Sequence, residues 1–515
     1  MSTFRKWCVL TALILIAVCL TKPAHAMAEA APSADTDKLV YSYFITDPLT
    51  EIHIAVITRA SAAVNFEYRK AGDTAWVSHG FTRNAAVPGI SRVLREVHLT
   101  QLRPDTRYEI RFSAGADSPV FSFQTLPKTL DAPLSIVSGG DLFHNAALMT
   151  PVTAAAARDN PMLAAIGGDW AYADGNPEKV WRWLELFRVW MEHMVTPDGR
   201  MVPFVPGIGN HEVVGGYGTD PGLAPLYFTF FNLPDKRAWF TLDAGDYLSL
   251  IMLDTNHTSR IDGPQREWLR AELERLRDVP HVFPVYHVPA WPSFRPLTNA
   301  HSQQVRDHWV PLFEQHGIQL AFENHDHTFK RTKPIRMNQV DPTGVVYVGD
   351  GSWGVSTRRA NDIRQRWWLE KVTDDHHYWH LLLLPDTRMV TARNEHYQII
   401  DSFEQRIPLE DGMPVLPGRE ALPEGIFLYQ NYPNPFNAGT VIRFMVPDEY
   451  NQKPLRLELF NTGGQRVATL YNGPVAAGMQ QLVFDPSRYA LSSGTYVYKL
   501  QIGGQVRSRQ MQLVK

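Results

Sequence analysis

Between about residues 133 and 400, five apolar runs each stop on a side chain able to bind a metal. PLSIVSGG runs into Asp141, MLAAIGG into Asp169, and MVPFVPGIG into Asn210-His211-Glu212. VFPVY ends at His287, and IQLAFEN ends at His325-Asp326-His327. The runs alternate with helical stretches at Pro177–Met194 and Gly263–Arg277, where apolar residues recur at three-to-four spacing. That alternation predicts a layered α/β domain. In open α/β sheets, ligand sites assemble beyond the carboxyl ends of the strands, so donors far apart in the chain can meet there. Singly, each block is ordinary, since a histidine after a strand is commonly structural and Gly-Asp is commonly a turn. Five in order are hard to explain as coincidence. If the last block is extended, residues i and i+2 share a face, and His325 and His327 point into one cavity.

The flanks read differently. From about 38 to 127, short alternating runs such as KLVYSYFI, EIHIAVIT and TRYEIRFSA predict an N-terminal β-sandwich. A Pro- and charge-rich linker at about 406–424 precedes a C-terminal small β-sandwich at 425–515, with Gly-rich turns. At 515 residues the chain is too long for one ordinary core, and a multidomain protein is expected. With a net charge of -3 and no basic block, nothing points to a nucleic-acid partner.

At the N-terminus, Arg5 and Lys6 precede an apolar core from about Trp7 to Leu20, and Ala24-His25-Ala26 offers a small-x-small cleavage site. This is the layout of a secretory signal peptide spanning 1–26. A membrane anchor would need roughly 18 to 20 uninterrupted apolar residues. The expected localisation is therefore secreted or cell-surface, with no transmembrane segment in the mature chain. Both cysteines, Cys8 and Cys19, lie in that segment, so a metal site in the mature chain must use nitrogen and oxygen ligands.

Six such donors, one of them a carboxylate able to bridge, suit two metals about 3.5–4 Å apart. Gly140-Asp141, Gly168-Asp169-Trp170-Ala171-Tyr172, Gly209-Asn210-His211-Glu212, His287 and His325-Asp326-His327 resemble the five ordered blocks of the calcineurin-like metallophosphoesterases. The GDxxY form is similar to the purple acid phosphatase branch. So is the N-terminal segment, whose stretch Leu102–Phe112 resembles the corner-and-strand signature of fibronectin type III domains. The resemblance covers about 38 to 405.

It implies a metallophosphoesterase domain at 133–405, a four-layer β-sandwich flanked by helices, with a dinuclear centre. Asp141, Asp169, Tyr172 and His327 would hold Fe3+. Asp169 as the bridge, Asn210, His287 and His325 would hold a divalent metal, Zn2+, Mn2+ or Fe2+. The implied reaction is hydrolysis of a phosphorylated small molecule, a phosphate monoester, by a metal-held hydroxide. Phosphodiesterase or nucleotidase activity on the same site is the alternative, and a non-catalytic surface adhesion module is a third. His211 would contact the phosphate or protonate the leaving group, with a structural histidine as the other option; His301, in the loop after His287, is a second candidate for that protonation; and Arg331 takes the basic position after the last histidine block or is a solvated surface arginine.

In the wider superfamily the first block carries a histidine two residues after the aspartate. Here that position is Phe143, and His144 lies one further on. The resemblance makes Tyr172 the replacement, a phenolate whose hard anionic oxygen suits Fe3+. Its normal pKa near 10 must then fall far, which takes an adjacent cation. A plain packing tyrosine is the other option at this position. Asn324, Pro284 and Phe143 depart from the family pattern without removing a donor.

In the tail, Tyr432-Pro433-Asn434-Pro435-Phe436-Asn437 and Gly494-Thr495-Tyr496-Val497-Tyr498 resemble the sorting domain of the type IX secretion system, which would make that machinery a partner. A carbohydrate-binding or spacer sandwich is the alternative.

Overall fold

The computed structural model describes residues 38–112, 119–359, 363–407 and 426–514, apart from positions 430, 432, 433, 438, 447, 476, 477 and 490. The proposed signal segment, most of the linker, and Tyr432 and Pro433 of the tail motif lie outside the described residues.

Two sheets enclose the central core. In the ten-stranded sheet the order is Ile399–Arg406, Thr387–Arg393, Tyr378–Leu384, Leu134–Gly139, Ala164–Ile166, Phe204–Pro206, Lys38–Tyr43, Ile52–Arg59, Arg92–Leu99 and Arg83–Ala86. The seven-stranded sheet runs Phe240–Ala244, Leu248–Met252, His281–Val285, Leu320–Phe322, Val346–Gly349, Phe329–Thr332 and Leu369–Thr373. The parallel strands that lead to the candidate donors are short and buried on both faces, which is why they read as plain apolar runs.

Side chains of the second sheet divide by parity. Leu250, Met252, Phe283 and Val285 enter the core shared with the first sheet. Ile251, Leu253, Val282 and Tyr286 face the opposite way, packing with Leu269 and Leu273 of helix Pro264–Arg275 and with Val305, Trp309 and Phe313. This is the two-residue period of a strand covered on both sides. Against the first sheet lie helices Ala146–Ala157 and Trp181–His193, the latter burying Trp183, Leu186 and Phe187. Phe187 stacks on Tyr41 at 4.1 Å, fixing that helix to the sheet.

Residues 38–124 do form two layers, but the strand pairing crosses the boundary expected at 127–133. One layer is the four-stranded sheet Val77–His79, Phe66–Lys70, Arg107–Phe112 and Val120–Gln124. The other layer continues the central sheet, with Tyr43 opposite Phe204 in a parallel pair and Phe44 N–H donating to Phe204 O at 2.8 Å. Left apart, both strands would present unpaired edges. The two partners are far apart in sequence, so no local pattern announces the pairing. At the corner stretch, Tyr108 Oη accepts from Arg103 N–H at 2.8 Å, a side chain bonded back to the backbone just upstream.

The C-terminal segment also packs as two sheets over its own core. One has Phe427–Leu428, Thr440–Val446 and Gly478–Phe484, and the other Arg466–Pro474, Pro454–Asn461, Gly494–Ile502 and Gln505–Leu513. Among the described residues, no helix is long and apolar enough to cross a membrane.

The joint between the N-terminal layers and the centre is polar. Fully buried Glu96 accepts from Tyr43 Oη at 2.7 Å, Arg83 at 2.8 Å and Asn232 Nδ2 at 3.2 Å, with His53 Nδ1 at 3.1 Å. Burial opposes its charge, but His53 and Arg83 outweigh burial and hold its carboxyl down at about 2. Because this pKa lies below the ordinary 4.5, the stabilisation is complete above pH 4.5 and lost as pH falls through about 2. Glu96→Gln is expected to cost about 3 kcal/mol at neutral pH and to flatten that acid limb, as read by denaturant titration at several pH values.

Candidate metal centre

Each apolar run delivers its donor at the strand's carboxyl end. Asp141 follows Leu134–Gly139, Asp169 follows Ala164–Ile166, and Asn210 opens a single helical turn after Phe204–Pro206. From the other sheet, His287 follows His281–Val285, and His325 and His327 follow Leu320–Phe322. The carboxyl edges of both sheets therefore border one buried site. Ligand atoms of Asp169, His287 and His325 lie within 4.8 Å of one another, and so do those of Asp141, Asp169 and His327. Asp169 belongs to both groups. Tyr172 Oη joins the second group, 2.8 Å from Asp141 Oδ1 and 3.0 Å from His327 Nε2. Asn210 Oδ1 joins the first, 3.1 Å from His287 Nε2.

Counting protons tests whether these groups suit a cation. His287 Nδ1 lies 3.2 Å from Gly167 O, which accepts only, so the ring proton belongs there. Its Nε2 is then a lone pair, yet it faces Asp169 Oδ2 at 3.1 Å, Asn210 Oδ1 at 3.1 Å and His325 Nδ1 at 3.0 Å. The same holds at His327. Its Nδ1 points to Ser356 O at 3.2 Å, leaving Nε2 against Asp141 Oδ1 at 3.0 Å and Tyr172 Oη. Acceptors outnumber protons in both groups, and a cation among them resolves the shortage. Without a cation, Asp169 instead draws a proton onto His287, raising the imidazole to about 9 against the opposing effect of burial, so the cluster takes up positive charge as a proton or as an ion. The oxygen-and-nitrogen donor set fits two metal ions.

The backbone is forced into unusual shapes to present these groups. Asp141, Asp169, Tyr172, His325 and His327 all have left-handed φ, between 53° and 82°. Such conformations cost on the order of 1–3 kcal/mol each and persist where the surroundings impose them. His325 and His327 are thus not on an extended strand. Both reach the centre through a left-handed turn, and they fall in different donor groups, whereas strand alternation predicts one shared face.

Several residues that hold the loops escaped the sequence reading. Glu212, fully buried, accepts from the backbone N–H groups of Asp169 at 2.8 Å, Trp170 at 2.9 Å and Gly209 at 2.9 Å, locking two donor loops together. Arg182 binds the carbonyls of Ala171 at 2.5 Å and of Phe143 and His144 at 3.0 Å. Beneath the His325–His327 turn, buried Lys330 pairs with Glu323 at 2.5 Å and Asp350 at 3.1 Å. His327 N–H donates to Asp350 O at 2.8 Å. Arg331, for which the sequence left open a basic position after the last histidine block or a surface arginine, pairs with Asp401 at 2.5 Å. Strand Phe329–Thr332 sends residue 330 inward and residue 331 outward.

His211 Nδ1 is 2.5 Å from Asp174 Oδ1, its ring lies 4.1 Å from the ring of Tyr172, and its Nε2 is 3.9 Å from Asp169 Oδ2. Asp174 also binds Lys179. His144 packs edge-on to Tyr172 at 4.5 Å, with Nδ1 accepting from Ser356 N–H at 3.0 Å. His301 is not in a loop but in helix Ala300–His308, stacked on Tyr217 and outside both donor groups.

The three departures have local explanations. Phe143 is buried beneath Arg182. Pro284 needs no N–H partner on its Leu320–Phe322 side, where pairing starts only at Val285. Asn324 Nδ2 donates to Tyr286 O at 2.9 Å and fills space kept open by glycines. A Cβ on Gly167 would sit 1.9 Å from Asn324 Nδ2, and one on Gly140 2.5 Å from Oδ1.

No family model matches the chain. An uncharacterised protein of Mycobacterium tuberculosis is 27% identical over 280 residues, covering 47% of this chain and 51% of that protein. Purple acid phosphatase 21 of Arabidopsis thaliana is 25% identical over 269 residues, covering 50% and 58%. Purple acid phosphatase 23 of the same plant is 26% identical over 326 residues, covering 56% and 68%. The chain spans about half the length of the first of these curated relatives. Among solved structures, PhoD superposes with a TM-score of 0.55 at 12% identity, covering 73% of this chain and 92% of PhoD, a likeness of fold. Over about half of its length the chain is thus similar to purple acid phosphatases, and its fold is similar to that of PhoD.

The Asn324 contact is testable. Gly167→Ala is expected to lower the melting temperature by several degrees and reduce bound metal, an overpacking cost of about 1–3 kcal/mol. Adding Asn324→Gly should restore at least half of both losses, as measured by calorimetry and metal analysis.

Proposed function

We propose that this chain is a metal-dependent phosphoesterase that hydrolyses phosphate monoesters of small molecules at a dinuclear Fe3+/divalent centre. The observation that carries the proposal is the pair of buried donor groups sharing Asp169, with the Tyr172 hydroxyl against one of them. The phosphatase relatives and the PhoD-like fold support the same chemistry. Asp141, Asp169, Tyr172 and His327 would hold Fe3+, and Asp169, Asn210, His287 and His325 the divalent ion, Zn2+, Mn2+ or Fe2+. When bound, such a pair supplies Lewis acidity to a phosphoryl group and acidifies water for in-line displacement.

The protein's own groups do the rest. Burial, followed by Asp141 and Asp169, pushes the Tyr172 phenol well above its usual pKa, so the protein alone keeps it protonated. Only a strongly charged cation alongside can make it a phenolate ligand. Asp174 fixes His211 through Nδ1, leaving Nε2 toward the donor groups to meet a phosphoryl oxygen or protonate the departing alcohol. Phosphodiesterase activity uses the same donors, and the comparison of substrates below separates it. Export by the segment 1–26 and by the C-terminal sandwich as a type IX sorting domain, and a fibronectin-like character for 38–127, belong to the same proposal.

Purified protein should contain two metals per chain and hydrolyse p-nitrophenyl phosphate faster than its bis ester. Faster turnover of the bis ester would reverse the substrate class. Asp169→Asn should lower kcat/KM by roughly 10³-fold, several kcal/mol of lost transition-state stabilisation. A visible absorption band lost in Tyr172→Phe would identify the iron–phenolate bond. A colourless, active protein holding zinc or manganese would discard iron and keep the phosphoesterase.

A further inference from the structure

The loop Val213–Gly218 leaves the metal centre directly after Asn210-His211-Glu212. Gly215 and Gly216 turn it through left-handed φ of 78° and 81°. Gly216 lies against a candidate ligand, since a Cβ there would be 3.5 Å from Asn210 Cβ. The next residue, Tyr217, is held on both faces. His301 stacks on one at 3.9 Å and 7°, and His257 lies on the other at 5.1 Å and 27°.

His257 is fully buried, and both its nitrogens are engaged, Nε2 with Thr255 Oγ1 and Nδ1 with Gly216 O, each at 2.9 Å. Its ring meets that of His287 edge-on at 5.5 Å, which makes it a spacer between the metal centre and Tyr217. His301 is anchored in turn, its Nδ1 3.1 Å from Asn256 Nδ2.

With its faces covered, Tyr217 presents an edge and a hydroxyl. Among the described residues that hydroxyl makes no hydrogen bond. Burial, then Asp169, pushes it up to about 12, opposed by Arg295. It therefore stays a proton donor. Arg295 is committed to His325 O at 2.8 Å and Asp326 at 2.6 Å, so it is not competing for the same ligand atom. The ring is only half-buried, so the hydroxyl is left open beside the centre and available to a ligand.

We infer that Tyr217 touches substrate, its hydroxyl donating to an oxygen of the phosphate group bound at the centre, with His301 positioning the ring; this rests on the phosphoesterase reading above. Inorganic phosphate is the probe, titrated calorimetrically into metal-loaded wild type, Tyr217→Phe and His301→Ala. The Y217F variant keeps the stacked ring, so metal content and melting temperature should be unchanged while phosphate binds about tenfold more weakly. The H301A variant should fall between the two. Equal phosphate affinity in wild type and Y217F overturns the role of Tyr217 and leaves the phosphoesterase standing. Failure of metal-loaded wild type to bind phosphate overturns both.

Discussion

Everything around the candidate centre follows from a surplus of electron pairs. His287 Nε2 faces a carboxylate, an amide oxygen and a second imidazole, each about one hydrogen-bond length away, and under the tautomer that Gly167 O selects neither oxygen has a hydrogen to offer it. A buried arrangement of this kind is unfavourable by itself and becomes favourable around a cation. Asp169 sits at the middle of it because it answers to both donor groups.

The scaffold carries the strain of that arrangement in identifiable places. Left-handed residues splay five donors out of the strand direction, and Glu212 holds Asp169 and Trp170 by their amides. Below the last turn, Lys330 is wholly enclosed with Glu323 and Asp350, while Tyr286 Oη gives Glu323 a further hydrogen bond at 2.7 Å. Removing one member of such a buried set leaves charge without a partner, so the set acts as a stiff floor beneath His325 and His327.

The donors were legible because strand ends are short-range signals: an apolar run, a glycine or two, then a ligand-type side chain. What binds those ends together was not. Glu212 reads as one more acidic residue in a donor block, and only the fold reveals three backbone N–H groups around its carboxylate. Arg331 attracted notice while its neighbour Lys330 did the buried work, because strand parity cannot be assigned before the strand's faces are known. The left-handed turn at His325–His327 was missed for a related reason, since neither residue is a glycine that would mark it. Layer content was readable from periodicity, but the pairing of Tyr43 with Phe204 was not.

That pairing has a further bearing on the centre. Strand Phe204–Pro206, which leads to Asn210, is gripped on one side by the strand leading to Asp169 and on the other by Lys38–Tyr43. The amino-terminal layers thus serve as a splint for the strand that leads to Asn210 rather than as a detachable accessory. Drift in their sequence, at residues remote from the candidate donors, would be felt as altered spacing between Asn210 and Asp169.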